Sequence, residues 1–458
     1  MKKYFSLIFL LVGLLALLGG ALIGVLISMV YILPDFLTDF LPFNQLRPMH
    51  TTFVVSWIIM TAVGGIYFYI TKVENLKLHA PNLGVIHIIL YLIIAILIPF
   101  AYINQNMGGR EYLEFSPYLI LPILLGWFLF GINYFKTMLS QVKNWPAYYW
   151  MWGIGIVFMI FHMTESNFWM FKAVREDYIR DTTIQWKSYG SFVGSWNMLV
   201  YGTALYLMSK IKNTTNVARG RKTFFFVFLG LTNLMFGWAH HTYTLPTPGW
   251  VRYFAYGISM TEWIIFIKII WDWNKSLSKS DKRKHSMTYK FILASDIWVF
   301  INLVMALLMS IPSLNFFSHG THITVAHSMG TTIGINTCIL FASLSFIISW
   351  LNGKEVLTRF TTKAFYLFNG SLLAFFTALI IMGVNKMIWQ ESGGTYSELH
   401  ESSHGLYLVF IISGIALFLS IAFIAVPMLK KLVPYVYRAF LSAKLADDLE
   451  RVEQEQIE

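Results

Sequence analysis

Residues 321–350 read Thr321-His-Ile-Thr-Val-Ala-His327-Ser-Met329-Gly-Thr-Thr-Ile-Gly-Ile-Asn-Thr-Cys338-Ile-Leu-Phe-Ala-Ser-Leu-Ser-Phe-Ile-Ile-Ser-Trp350, without one Asp, Glu, Lys or Arg. As a helix rising about 1.5 Å per residue, this stretch reaches roughly 45 Å. That exceeds the ~30 Å hydrocarbon core of a bilayer. Lipid offers no partner for unpaired backbone groups, so a helix is the expected form. The histidines gather at one end of the segment, and an ionisable group in such a setting marks a site or cavity.

The same pattern fills the chain on both sides of this stretch. Hydrophobic residues make up 57% of 458 and charged residues 12%, about half the charged share of a soluble protein. Apolar runs predict helices at 4–31, 50–72, 83–104, 117–137, 147–167, 187–211, 222–244, 250–272, 289–311, 321–350, 362–385 and 404–430. The expected fold is therefore an all-α polytopic membrane protein of twelve transmembrane helices. A helical membrane domain over 1–435 precedes a charged, solvated cytoplasmic tail at 436–458. The first apolar run is too long for a signal peptide and is read as an uncleaved helix.

Twelve spans put both termini on one side, and charge chooses that side. Lys2 and Lys3, the basic residues of 210–222, 275–284 and 354–363, and Lys430 and Lys431 share one face. The other face holds only Arg47, Arg110, Lys172, Arg175, Arg180, Lys187, Arg252 and Lys386. The positive-inside rule makes both termini cytoplasmic and points to a bacterial inner membrane. The net charge of +11 follows from this asymmetry, and no nucleic-acid partner is implied. The single cysteine, Cys338, excludes an internal disulfide, a covalently attached c-type haem and a cysteine-ligated iron–sulfur cluster.

His50, His162, His240, His241, His319, His322, His327, His400 and His404 all fall in the outer half or outer loops on this topology. One such histidine is explained by a bond to a carbonyl or water at the interface. Several helices placing histidines at one depth point instead to metal or haem iron, which neutral imidazole ligates well. His240 and His241 are adjacent, so both reach one metal only where the helix frays. His327 and Met329 lie about 200° apart on an ideal helix, so one helix could serve two haems. Both side chains are known axial ligands of haem iron.

These residues carry a resemblance to the haem-copper oxidase superfamily, specifically the catalytic subunit of cytochrome c-dependent nitric oxide reductases. Pro42-Phe-Asn-Gln-Leu-Arg-Pro-Met-His50-Thr-Thr resembles the start of that family's second helix, where the histidine ligates a low-spin haem b. Gly109-Arg-Glu-Tyr-Leu-Glu114 resembles a loop whose arginine meets haem propionates and whose glutamate helps bind calcium, implying those roles for Arg110 and Glu111. His240 and His241 match ligands of the non-haem metal, iron in the reductases and copper in the oxidases. Glu262 stands where the reductases place an acidic residue near the active site, and His327 matches the high-spin haem ligand. The resemblance covers nearly the whole chain. It implies two b-type haems, a non-haem iron or copper, and calcium.

Two positions depart from the family. Met329 replaces the second low-spin histidine; a thioether can take that role, or the residue simply packs. Tyr189-Gly-Ser-Phe-Val-Gly-Ser-Trp-Asn197 lacks the third metal histidine and the following glutamate expected early in the sixth helix. His162 and Glu165, which share a helix face at i, i+3, are candidate substitutes, as are Tyr189 and Asn197. An interfacial polar patch also explains the His162–Glu165 pair.

The resemblance implies reduction of nitric oxide, with Glu262 as proton carrier and Glu165 as a second acidic candidate. A structural hydrogen bond is the simpler role for either. Asp296 is a candidate start for an inner proton route. Electrons would come from a membrane-anchored cytochrome c subunit. The altered sixth helix leaves room for an oxygen reductase, for an NO-disproportionating relative, and for a non-catalytic haem-binding subunit with a decayed dinuclear site. A transporter would carry charges at the bilayer midplane, and this chain does not.

Overall fold

The computed structural model describes residues 4–259, 261–355 and 359–455, with side chains for all but 359 and 439–455. Lys2, Lys3 and the last tail residues, 456–458, lie outside them. Eleven described helices are long and apolar enough to cross a membrane: Phe5–Met29, Phe43–Val73, Pro81–Ile103, Pro117–Asn144, Ala147–Met170, Arg221–Thr242, Gly249–Ser276, Ser286–Met309, His322–Asn352, Phe360–Ser392 and Tyr396–Arg438. The helix Tyr178–Lys212 completes a bundle of twelve, as its sixth member.

The sixth helix is set apart by polarity, for a physical reason. It packs against the fifth, seventh, tenth and second helices, and most of its residues from Ser188 onward are buried. A helix walled by protein meets little lipid, so Ser188, Ser191, Ser195 and Asn197 are tolerated there. Ser191 Oγ donates to Leu234 O at 2.7 Å, and Ser195 Oγ to its own helix at Ser191 O, 2.8 Å. The helix starts nine residues before the expected position 187, because Asp177 caps it by accepting from Arg180 N at 3.0 Å. Phe228, Ile96 and Leu121, 60–71% exposed, sit on the bundle perimeter, where lipid would cover them.

Three spans have irregularities that adjoin the histidines. The seventh leaves α-geometry at Phe236 and ends in a 3₁₀ turn, Gly237–Thr242, that holds His240 and His241. The eighth stops at Ile258, Ser259 is extended, and helix resumes over Thr261–Ser276 with Glu262 in its first turn. The tenth runs α from His322 to Met329, then π over Gly330–Thr337, then α again from Cys338. Wide turns of this kind occur often at functional sites. An antiparallel pair of short strands, Met107–Arg110 and Leu113–Phe115, lies between the third and fourth spans. The twelfth helix continues through Glu455, so the tail is helical as far as it is described.

Candidate functional site

One cavity opens among the second, sixth, seventh, eighth and tenth spans. It leaves about 1480 Å³ free of atoms, of which about 280 Å³ is open to the centre of a water molecule. His50, His240, His241, Glu262, His327 and Met329 all border it. The six come from four helices and from positions as far apart as 50 and 329.

His50 is fixed by packing between the first two helices. Its Nδ1 lies 2.8 Å from Gly20 O, so Nδ1 carries the hydrogen and Nε2 keeps its lone pair. Gly24 floors the ring: a Cβ there would lie 2.8 Å from His50 Cε1. The close approach of the two helices thus depends on small residues.

His327 is anchored through its backbone. Asn302 Nδ2 donates to His327 O at 3.1 Å and to Thr331 Oγ1 at 2.6 Å. The ring faces Trp263, with centroids 6.3 Å apart, and its buried Nδ1 has no partner. Although His327 and Met329 point to different sides of their helix, both border the same cavity, which therefore wraps that helix end.

The 3₁₀ turn brings the His240 and His241 rings to 4.1 Å between centroids. Trp186 stacks on His241 at 5.6 Å and 16°, and His240 Nδ1 lies 3.4 Å from Ser259 Oγ. One turn beyond Trp186 along the sixth helix, the residue facing His241 is a glycine. A Cβ at Gly190 would lie 3.2 Å from His241 Cδ2 and 3.0 Å from Trp238 Cβ; one at Gly194 would lie 3.2 Å from Leu234 Cβ. Helix backbone occupies the ground where the resemblance leads one to expect ligand side chains. Tyr189 and Asn197 border the cavity. No group of three His, Cys, Asp or Glu that could hold a metal occurs among the described residues.

Glu262 is 5% exposed. Asn233 Nδ2 donates to its Oε1 at 2.7 Å, and Oε2 has no partner. Sequence reasoning does not single out Asn233, although an amide in the apolar run Leu231-Thr-Asn-Leu234 is a usable signal.

His162 and Glu165 are not brought to the cavity. Their side chains form a separate buried cluster on the flank of the sixth helix. His162 Nδ1 meets Glu165 Oε2 at 3.1 Å, and Lys187 Nζ donates to Glu165 Oε1. An electrostatic tie between the fifth and sixth helices claims both residues.

Arg110 pairs with Asp181 and lies over the Trp169 ring at 4.9 Å. Arg47 gathers Glu114 at 2.5 Å and Glu111 at 3.6 Å. These residues cap the cavity without lining it. Between them, Tyr112, at a left-handed φ of 68°, and Leu113 do reach the lining. Burial pushes the Tyr112 hydroxyl up to about 12, so it stays a neutral hydrogen-bonding group. Asp296 is apart from the cavity, with a buried Oδ1 that has no partner.

Residues 5–419 match the family model described as "Cytochrome C and Quinol oxidase polypeptide I". The chain belongs to this family, which is that of haem-copper oxidase subunit I. It is 22% identical over 396 residues to a nitric oxide reductase chain of Stutzerimonas stutzeri, covering 78% of this chain and 79% of that one. It is 21% identical over 415 residues to a cytochrome c oxidase subunit 1 homolog of Azorhizobium caulinodans, covering 84% and 73%. It is also 21% identical over 373 residues to a cytochrome c oxidase subunit 1 of Rhodobacter capsulatus, covering 78% and 70%. A solved haem-copper terminal oxidase dimer shares the fold at a TM-score of 0.75 and 15% identity, covering 94% of this chain and 84% of that one. The chain is thus a multi-span oxidoreductase subunit of a respiratory oxidase family, a family that implies haem and a metal.

Proposed function

We propose that this chain is the haem-carrying catalytic subunit of a membrane enzyme that reduces nitric oxide to nitrous oxide. Its electrons come from a membrane-anchored cytochrome c partner, and it sits in a bacterial inner membrane with both termini in the cytoplasm. The observation that carries the proposal is the convergence of His50, His240, His241, His327, Met329 and Glu262 on one cavity.

The residues fit b-type haem. The His50 imidazole donates through Nδ1 to a backbone carbonyl, an arrangement that fixes a ring's tautomer and orients its other nitrogen toward a metal. The His327 ring borders the cavity with a buried nitrogen unpaired. His50 with Met329 would hold the low-spin haem, and His327 the high-spin one. Bound haem supplies electron transfer and an iron to which a small gas binds.

The residues fit a non-haem metal less well. His240 and His241 supply two imidazoles, but Gly190, which faces His241, supplies no side chain. No step is derived through that metal. The same gap favours a second reading, a haem protein without the dinuclear metal. Calcium at Glu111 is disfavoured because Arg47 holds both nearby carboxylates.

The chain's own residues then have definite tasks. The aromatic rings of Trp186, Tyr112 and Trp263 narrow the cavity and exclude water around the gas. The reaction, two NO with two electrons and two protons giving N₂O and H₂O, needs protons delivered beside the cavity. Glu262 can carry them: its Oε1 is steadied by Asn233 and its Oε2 is free to hold a proton. The test is to purify the protein, count haem, iron and copper per chain, and analyse the gas formed under NO with an electron donor. Nitrous oxide in step with electron consumption supports the proposal. Oxygen uptake with copper present, or haem without turnover, replaces it with an oxygen reductase or a non-catalytic haem subunit.

A further inference from the structure

A second, smaller chamber adjoins the cavity among the fifth, sixth, seventh and eighth spans. Gly194, Asn197, Asn233 and Glu262 border both spaces, and Tyr201 borders the chamber alone. Tyr201 follows Asn197 by one helical turn, about 6 Å further along the sixth helix toward its Lys210 end. Glu262 is therefore a partition, with the large cavity on one side and the chamber on the other.

The volume open to the centre of a water molecule is about 20 Å³ in the chamber. One water needs roughly 10–15 Å³ on that measure and two to four polar partners. Three polar atoms of the lining residues are buried without partners, Glu262 Oε2, Asn233 Oδ1 and the Tyr201 hydroxyl. Glu262 is 5% and Tyr201 3% exposed. An empty chamber of this size, walled by three unpaired buried groups, is the less stable arrangement.

We propose that the chamber binds one water molecule, held between Glu262 Oε2 and the Tyr201 hydroxyl, which makes Tyr201 a positioning residue for the carboxyl group. The water gives Glu262 a proton-exchange partner on the face turned away from the cavity. That consequence, though not the water site itself, rests on the proton-carrying role proposed above.

The test is an electron cryomicroscopy map of the haem-loaded protein at a resolution that shows waters, with infrared spectra of three variants. Glu262→Gln identifies the carboxyl vibration, neutral or ionised, as the band it removes. Tyr201→Phe keeps the ring packed on Phe266, 5.0 Å between centroids, and removes only the hydroxyl. Gly230→Ala keeps both polar groups but adds a methyl 2.9 Å from Met198 Cε, pushing that lining atom into the chamber. We expect density within hydrogen-bond distance of Glu262 Oε2 and Tyr201 Oη in the wild type. It should be lost in Tyr201→Phe and Gly230→Ala, with the Glu262 band shifted in both. A wild-type chamber without density, or a band unmoved in both variants, overturns the proposal. A protein that shows the water but does not reduce NO refutes the functional reading alone. One that reduces NO with an empty chamber refutes this inference alone.

Discussion

Gly24→Ala offers the sharpest test of the haem assignment, because it perturbs His50 without touching a ligand. The added Cβ would sit 2.8 Å from His50 Cε1 and 3.2 Å from Nδ1. Ordinary contact begins at 3.4 Å, so the ring must retreat by about 0.6 Å. It is not free to do so, because Nδ1 is tied to Gly20 O on the same helix face. Overpacking of this kind costs about 1–3 kcal/mol. Falling on the haem-binding geometry, that is about a 5- to 150-fold loss of low-spin haem affinity. The assay is haem counted per chain, with the low-spin electron paramagnetic resonance signal. Gly405→Ala, where nothing lies within 4 Å of the added carbon, is the control. We expect Gly24→Ala to lose low-spin haem while the high-spin signal and the control stay at wild-type level. Full low-spin occupancy in Gly24→Ala would refute the placement of His50 as ligand.

Three further outcomes follow from the same geometry. His327→Ala should abolish the high-spin signal and spare the low-spin one; loss of both, or of neither, contradicts the assignment. Glu165→Ala leaves Lys187 and the buried His162 Nδ1 without their shared partner, which costs about 1–3 kcal/mol. Its melting temperature should fall while haem and metal contents are unchanged, and a loss of metal at normal stability would restore Glu165 as a ligand. Glu262→Gln should slow proton-coupled turnover at least tenfold and leave both haem signals intact; a tenfold loss matches about 1.4 kcal/mol of barrier. Turnover at the wild-type rate would remove Glu262 from the proton route.

The class of fold and the depth of the site were legible because lipid restricts what a sequence can do. Charges are few, so a histidine in an apolar run carries information, and four of the nine placed at the outer side, His50, His240, His241 and His327, border one cavity. Their partners were not legible. The bond from His50 to Gly20, the bond from Asn302 to the His327 carbonyl and the bond from Asn233 to Glu262 all cross between helices. Which helices touch, and in what rotation, is not encoded in helices that are apolar on every face. The surroundings of His162 and Glu165 were hidden for the same reason: their spacing showed a shared face but not that Lys187 stood opposite it.

The sixth helix shows how a local absence becomes a structural statement. Read along the chain, Tyr189 to Asn197 looks like a ligand stretch that has lost its ligands. In the bundle, Gly190 and Gly194 are four apart, so they share one face, and that face presses on Trp238, His241 and Leu234. Helices that meet through glycine approach more closely than side chains would allow. Any side chain put back at 190 would need Trp238 and His241 to give way, so the glycines and the tight seat of the histidine pair depend on each other. A ligand that the sixth helix supplies to a metal here must therefore come from a side chain that lines the cavity, such as Tyr189 or Asn197.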